Sequence, residues 1–168
     1  EIWACANVDA RSNDEVGELI ALDPELEAEL YRESGQTYAL GALPRLLWVK
    51  NKMPEIYEKT ARIGMFNDWL IYKLTGEMAI EPSNGSTTGI MDLKTRTWDP
   101  TIAERCGLRT DIFGPVKECG EIAGHVSAKG AADTGLAEGT PVIAGTVDAA
   151  AEALSVGVRN TGDMMVMY

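Results

Sequence analysis

The stretch Gly139-Thr-Pro-Val-Ile-Ala-Gly-Thr-Val-Asp148-Ala-Ala-Ala-Glu-Ala-Leu154 decides the fold class of this chain. Its apolar run 141–144 predicts a short buried strand, and Gly145 predicts a tight turn after it. The helix-forming residues that follow predict a helix whose N-cap lies at or near Asp148. In an open α/β sheet, ligands bind beyond the carboxyl ends of the strands, so Asp148 would face a ligand. A plain helix cap explains the same local pattern.

Strands and helices are predicted to alternate along the rest of the chain, which indicates an α/β fold. The predicted strands are 2–8, 63–66, 90–93, 141–144 and 164–168. The predicted helices are 12–22, 24–34, 43–50, a short segment from Met53-Pro54, 69–74, 99–106, 127–134 and 149–156. The stretch 81–89 is predicted as a turn-rich loop, and the hydroxyls within 86–89 fit a solvated turn better than an anion site. A new β-α-β unit begins near 136–140, which indicates a domain boundary there.

Charge excludes two classes of partner. The chain has 168 residues and a formal net charge of −11. A nucleic-acid groove needs a basic surface, and docking on an anionic membrane needs one too. No apolar run reaches the length of a membrane span. We therefore expect neither a nucleic-acid partner nor a membrane partner.

Cysteine and histidine usage limits the chemistry. Cys5, Cys106 and Cys119 are far apart in sequence, which favours reduced thiols in a cytoplasmic protein. His125 is the only histidine, so a histidine-rich metal site is excluded. We expect His125 to lie in a loop with a structural or solvated role.

Asp9 and Arg11 follow the first predicted strand and are separated by a single residue. Two interpretations are equally supported by the residues. The pair could hydrogen-bond a polyol, or it could pair with neighbours across the sheet.

Several motifs in order resemble the FGGY family of carbohydrate kinases. They are Ile2-Trp-Ala-Cys-Ala-Asn-Val-Asp-Ala-Arg11, Gly35-Gln-Thr37, Leu43-Pro-Arg-Leu-Leu-Trp48, Asp68 to Glu77, Glu81 to Leu93, Trp98-Asp99, and the stretch from Gly139 to Ala149. Within the family the chain is most similar to the autoinducer-2 kinase and xylulose-kinase-like groups.

The resemblance implies a fold and a place in it. The family has two ribonuclease-H-like, actin-like ATPase domains with ATP and Mg²⁺ in the cleft between them and a sugar beside them. The chain would be a piece of a longer protein: 1–138 the later part of the first domain, and 139–168 the start of the second. Both phosphate-binding loops would lie outside it, so we expect the chain alone to be inactive. A homodimer is compatible with the resemblance.

The resemblance also implies residue roles. Asp148 matches the catalytic base, which accepts a proton from the attacking hydroxyl while the γ-phosphate of MgATP is transferred. The N-terminus of a helix favours the negative charge of such a residue. Thr146 and Ala149 are expected to line the sugar site, where Ala149 replaces a polar residue of many relatives. Asp9 and Arg11 are the other sugar-site candidates. The expected substrate is a xylulose-like ketose or an autoinducer-2-like open-chain dione.

Two rival functions follow from other readings of the residues. The first is a non-catalytic sugar-binding or interaction fragment of a degenerate kinase. The second is a piece of an α/β hydrolase or a dehydrogenase. The second is disfavoured because the chain has neither a Gly-x-Ser-x-Gly elbow nor a Gly-x-Gly-x-x-Gly fingerprint.

Overall fold

A computed structural model of the chain describes residues 3–6, 8–39 and 41–166. Its helices are α1 (Asn13–Leu22), α2 (Leu26–Ser34), α3 (Leu43–Lys52), α4 (Pro54–Lys59), α5 (Phe66–Thr75), α6 (Pro82–Ser86), α7 (Pro100–Arg105), α8 (Ala128–Thr134) and α9 (Asp148–Ser155). Its strands are β1 (Met91–Asp92), β2 (Thr97–Trp98), β3 (Ile122–His125) and β4 (Pro141–Ile143). The described chain is therefore a mixture of helix and strand.

The helices lie close to where their end signals predict them. Pro44 lies in the first turn of α3, and Pro100 follows the N-cap Asp99, whose carboxylate accepts hydrogen bonds from the Thr101 and Ile102 amides. Ser127 caps α8 by accepting a hydrogen bond from the Gly130 amide. Gly35 ends α2 with a φ of 74°, the left-handed conformation that glycine adopts without strain.

The strands differ from the prediction. Two antiparallel pairs form in the described part, β1 with β2 and β3 with β4. In the first pair Met91 is opposite Trp98, and in the second Ile122 is opposite Ile143 and His125 opposite Pro141. The predicted strand 141–144 forms as β4, and the predicted strand 90–93 forms as β1. The expected burial of the first is wrong, because Pro141 and Ile143 are exposed. Strands β2 and β3 were not predicted, and His125 lies in β3 rather than in a loop.

Three predicted strands are wrong wherever the structure describes them. Residues 3–6 and 163–166 are irregular, while Ile2, Asn7, Met167 and Tyr168 lie outside the described residues. Met164 and Val166 are 86% and 77% exposed, and no strand in the described part of the chain pairs with this segment. At 63–66 the chain enters α5 instead, because the Asp68 carboxylate accepts a hydrogen bond from the Met65 amide and closes the first turn.

Two apolar clusters hold the described chain together. The larger one joins α1, α2, α3, α4 and α7, and its most deeply buried members are Leu19, Leu26, Leu30, Leu43, Ile90, Ile102 and Ile112. The smaller one contains Ile71 of α5, Ala79 and Ala123 of β3, with Val142 of β4 packed against it. Within the described residues, no helix is both long and apolar enough to span a membrane.

Candidate active site

Asp148 is the first residue of α9, and Val147 is its N-cap. The extended backbone of Val147, with φ −61° and ψ 146°, turns the chain from the segment after β4 into the helix. The Asp148 side chain is exposed, and its Oδ1 accepts a hydrogen bond from the Ala149 amide at 2.8 Å. Among the described residues Asp148 has no ion-pair partner. Its carboxylate is therefore accessible from solvent.

The turn before Asp148 is fastened to α6. The Ser83 Oγ lies 2.8 Å from Thr146 Oγ1 and 2.9 Å from the amide nitrogen of Val147. These contacts join residues more than sixty positions apart in sequence. They bring the predicted site residues Thr146, Asp148 and Ala149 next to a serine that was not predicted as part of the site.

Glu81 holds Ser83 in place through hydrogen bonds. It is the N-cap of α6, it is only 3% exposed, and its Oε2 accepts hydrogen bonds from the Ser83 amide at 2.9 Å and from the Ser83 hydroxyl. Its other oxygen lies 4.0 Å from Arg96 Nη2, which partly balances the buried charge.

The turn-rich loop predicted at 81–89 is therefore wrong in two respects. Residues 82–86 form helix α6, and most of the stretch is buried rather than solvated, including Asn84, Ser86 and Thr88. The hydroxyls are used internally: Ser86 and Thr88 donate to the carbonyls of Ser83 and Gly85. A signal for this helix was present, because Glu81-Pro82 repeats the acid-proline pattern that located α7 at Asp99-Pro100.

Asp9 and Arg11 form a separate cluster. Arg11 Nε lies 2.7 Å from Asp9 Oδ2, and the Arg11 guanidinium lies 4.9 Å from the centre of the Trp48 ring. The hydrogen bond from Arg11 lowers the pKa of the Asp9 carboxyl. The two side chains pair with each other, and not across a sheet. No described hydrogen bond or ion pair links either of them to Asp148.

A second buried carboxyl, that of Asp68, lies near Glu81. Asp68 is 1% exposed, and burial raises its pKa to about 7; the hydrogen bond from the Met65 amide opposes this shift, and the charge of Glu81 adds to it. Its Oδ1 has no hydrogen-bond partner among the described residues. Asp68 closes the start of α5 and does not reach the solvent, so its position indicates a structural role.

The described residues give no assignment for a metal or a nucleotide. Among them, no group of three or more His, Cys, Asp and Glu side chains could hold a metal ion. The sequence contains no Gly-x-x-x-x-Gly-Lys-Ser/Thr motif. ATP and Mg²⁺ are therefore not assigned to residues of this chain.

Residues 3–155 match the model of the FGGY family of carbohydrate kinases, N-terminal domain. The chain belongs to the FGGY family of carbohydrate kinases. It is 50% identical over 167 residues to the autoinducer-2 kinases of Yersinia pestis bv. Antiqua (strain Angola) and Yersinia pseudotuberculosis serotype O:1b (strain IP 31758). The match covers 99% of this chain and 32% of each relative, so the chain spans about a third of their length.

Solved structures support the same assignment. The xylulose kinase from Rhodospirillum rubrum superposes with a TM-score of 0.83 at 26% identity, covering 92% of this chain and 31% of that one. The Plasmodium falciparum glycerol kinase with ADP gives a TM-score of 0.75 at 22% identity, covering 87% of this chain and 29% of that one, a likeness of fold alone. This FGGY chain therefore has the actin-like ATPase fold of the sugar kinases, as the family resemblance implied.

Proposed function

We propose that the protein containing this chain is an ATP-dependent carbohydrate kinase in which Asp148 is the general base. The observation that carries the proposal is the exposed carboxylate at the first turn of α9, which has no ion-pair partner among the described residues, in a chain of the FGGY family. An aspartate so placed can accept the proton of a sugar hydroxyl as that oxygen attacks phosphorus.

The phosphoryl donor in this proposal is MgATP, which supplies the γ-phosphate and the metal charge that stabilises it. The acceptor is a hydroxyl of an open-chain sugar, either a xylulose-like ketose or an autoinducer-2-like dione. The identity of 50% to autoinducer-2 kinases supports the dione, and the 0.83 TM-score to a xylulose kinase supports the ketose. The proposal also assigns Thr146 and Ala149, which flank the base, to the sugar site.

Asp9 and Arg11 remain proposed sugar ligands that act as a pair. Because they already pair with each other, a sugar hydroxyl would have to bind the pair and not either residue alone. The division into 1–138 and 139–168, a cytoplasmic location and a homodimer also remain predictions.

Replacement of the base tests the proposal in the complete gene product. Asp148→Asn keeps the shape of the side chain and removes its basicity, so ADP formation with MgATP and the preferred sugar should fall about 10²- to 10⁴-fold. Glu152→Gln is the matched control, because it makes the same change one turn further along α9 on another exposed residue. Its activity should equal that of the unmodified protein.

A binding-only function is the second candidate, and the same assay separates the two. It predicts no ADP formation with any of a panel of ketoses, together with unchanged sugar binding in Asp148→Asn. Full turnover by Asp148→Asn would instead remove Asp148 from the role of base.

The isolated 168-residue chain should form no ADP under these conditions, because it contains no phosphate-binding motif. Coupled detection of ADP with purified chain, MgATP and sugar measures this. ADP formation that persists after repurification would contradict the prediction.

A further inference from the structure

Ser83 occupies a junction between α6 and the turn that carries Asp148. Its hydroxyl contacts three groups: the Glu81 carboxylate, the Thr146 hydroxyl at 2.8 Å and the Val147 amide at 2.9 Å. The sequence pattern alone did not point to this serine.

The hydrogen-bonding capacity of the three partners fixes the direction of each bond. A serine hydroxyl has one proton to donate and two lone pairs that accept. The Val147 amide can only donate, and the Glu81 carboxylate can only accept, so Ser83 donates to Glu81 and accepts from Val147. The second lone pair is then left for Thr146, which must donate its own proton to Ser83.

These hydrogen bonds are important because few other described contacts fix the N-terminus of α9. No residue of α9 is buried, so apolar packing within the described chain does not fix the helix. Thr146 and Val147 have Ser83 as their described hydrogen-bond partner outside their own segment. Ser83 itself is held by buried Glu81, whose carboxylate accepts from both its amide and its hydroxyl.

We propose that Ser83 is a positioning residue that fixes the turn 146–147 and thereby aims Asp148 at the sugar hydroxyl. This rests on the proposed function of Asp148 as the base. The bond directions also restrict the sugar site. Because the Thr146 proton is given to Ser83, the Thr146 oxygen is available to substrate only as an acceptor. A sugar hydroxyl at Thr146 therefore donates its proton there.

Three variants of the complete gene product test the proposal. Ser83→Ala removes the junction, Ser83→Thr keeps a hydroxyl, and Ser86→Ala is the matched control. Ser86 lies in the same short helix and donates to the Ser83 carbonyl, but it does not reach the turn before Asp148. Each variant is assayed for kcat and for the KM of the sugar, and hydrogen–deuterium exchange is measured in peptides covering 145–149.

In Ser83→Ala we expect kcat to fall about 10- to 100-fold, since misplacing a catalytic group costs that much, while KM changes less than about threefold. Exchange of the Val147 amide should accelerate about three- to tenfold, as expected for the loss of one hydrogen bond. Ser86→Ala should leave both quantities unchanged. Ser83→Thr keeps the hydroxyl, so its kcat and its exchange rate at 145–149 should both be close to those of the unmodified protein. Across the three variants, a lower kcat should always accompany faster exchange.

Three outcomes would overturn the proposal. They are equal behaviour of Ser83→Ala and Ser86→Ala, a fall of kcat without faster exchange at 145–149, and a further loss of activity when Ser83→Ala is added to Asp148→Asn. Failure of the proposed function itself looks different, because Asp148→Asn would then keep full turnover whatever the exchange data show.

Discussion

At the scale of single residues, the buried carboxyl of Asp68 makes the stability of the chain depend on pH. Burial raises its folded-state pKa to about 7, far above the ordinary value of an exposed aspartate. The folded chain therefore holds a proton that the unfolded chain releases at pH values between about 4 and 7. A raised carboxyl pKa favours the folded state at low pH, and this contribution is lost as the pH rises through about 7.

Replacement of Asp68 by asparagine should remove this dependence. We expect the free energy of unfolding of the unmodified chain, relative to Asp68→Asn, to decrease by on the order of 1–3 kcal/mol between pH 5 and pH 8. Taking the difference cancels the contributions of all other titrating groups. Urea unfolding of both proteins at four pH values measures it. A difference that stays constant, or that increases with pH, would contradict the assignment of the raised pKa to Asp68.

The sequence predicted some of the candidate site at this scale and missed the rest. Asp148 could be located because a strand, a turn and a helix start leave a local pattern. The role of Ser83 could not, because its contacts to Thr146 and Val147 depend on tertiary structure. Arg11 pairs with Asp9 through bonds that span only two residues, and these follow from local geometry once the chain is seen to turn there.

At the scale of elements, helices were predicted well and strands poorly. Helix ends are set by nearby residues, as in the Asp99-Pro100 start of α7 and the Gly35 end of α2. A strand forms only where a second strand pairs with it, and a local sequence pattern does not show whether that partner is present. The apolar segment 164–166 has no such partner among the described residues and is irregular, whereas 122–125 forms β3 because β4 lies beside it.

Two helical glycines should respond in opposite directions to alanine. A Cβ at Gly130 of α8 would lie 2.2 Å from the Leu74 carbonyl oxygen, so α8 could no longer pack closely on α5. We expect Gly130→Ala to destabilise the chain by about 1–3 kcal/mol. A Cβ at Gly17 of α1 would meet no heavy atom within 4 Å, so Gly17→Ala should stabilise by about 0.5–1 kcal/mol.

Urea unfolding of the two alanine variants beside the unmodified chain measures this pair of changes. Since both substitutions add the same methyl group to a helix, intrinsic helix propensity cancels between them. Equal shifts of the two midpoints would show that the contact between α8 and Leu74 does not limit packing.

At the scale of the whole molecule, the two apolar clusters differ greatly in size. The larger one gathers residues from five helices, and the smaller one has three buried residues that support the β3–β4 pair. The opposite face of that pair carries Ile122 and Ile143, each about half exposed. The sequence could not predict this division, because which side chains meet depends on the tertiary arrangement of α5, β3 and β4.

This division predicts that the β3–β4 pair opens before the body of helices. Amides in 122–143 should exchange through an opening at least about 1 kcal/mol less costly than that of amides in α3, because less apolar area is exposed when they open. Native-state hydrogen exchange in increasing urea measures both openings.

Ile71 and Leu47 are both 6% exposed and provide matched variants. Ile71→Ala should accelerate exchange mainly in 122–143, whereas Leu47→Ala should accelerate it throughout the chain. One common opening energy for both regions, unaffected by which residue is replaced, would mean that the two clusters unfold as one unit.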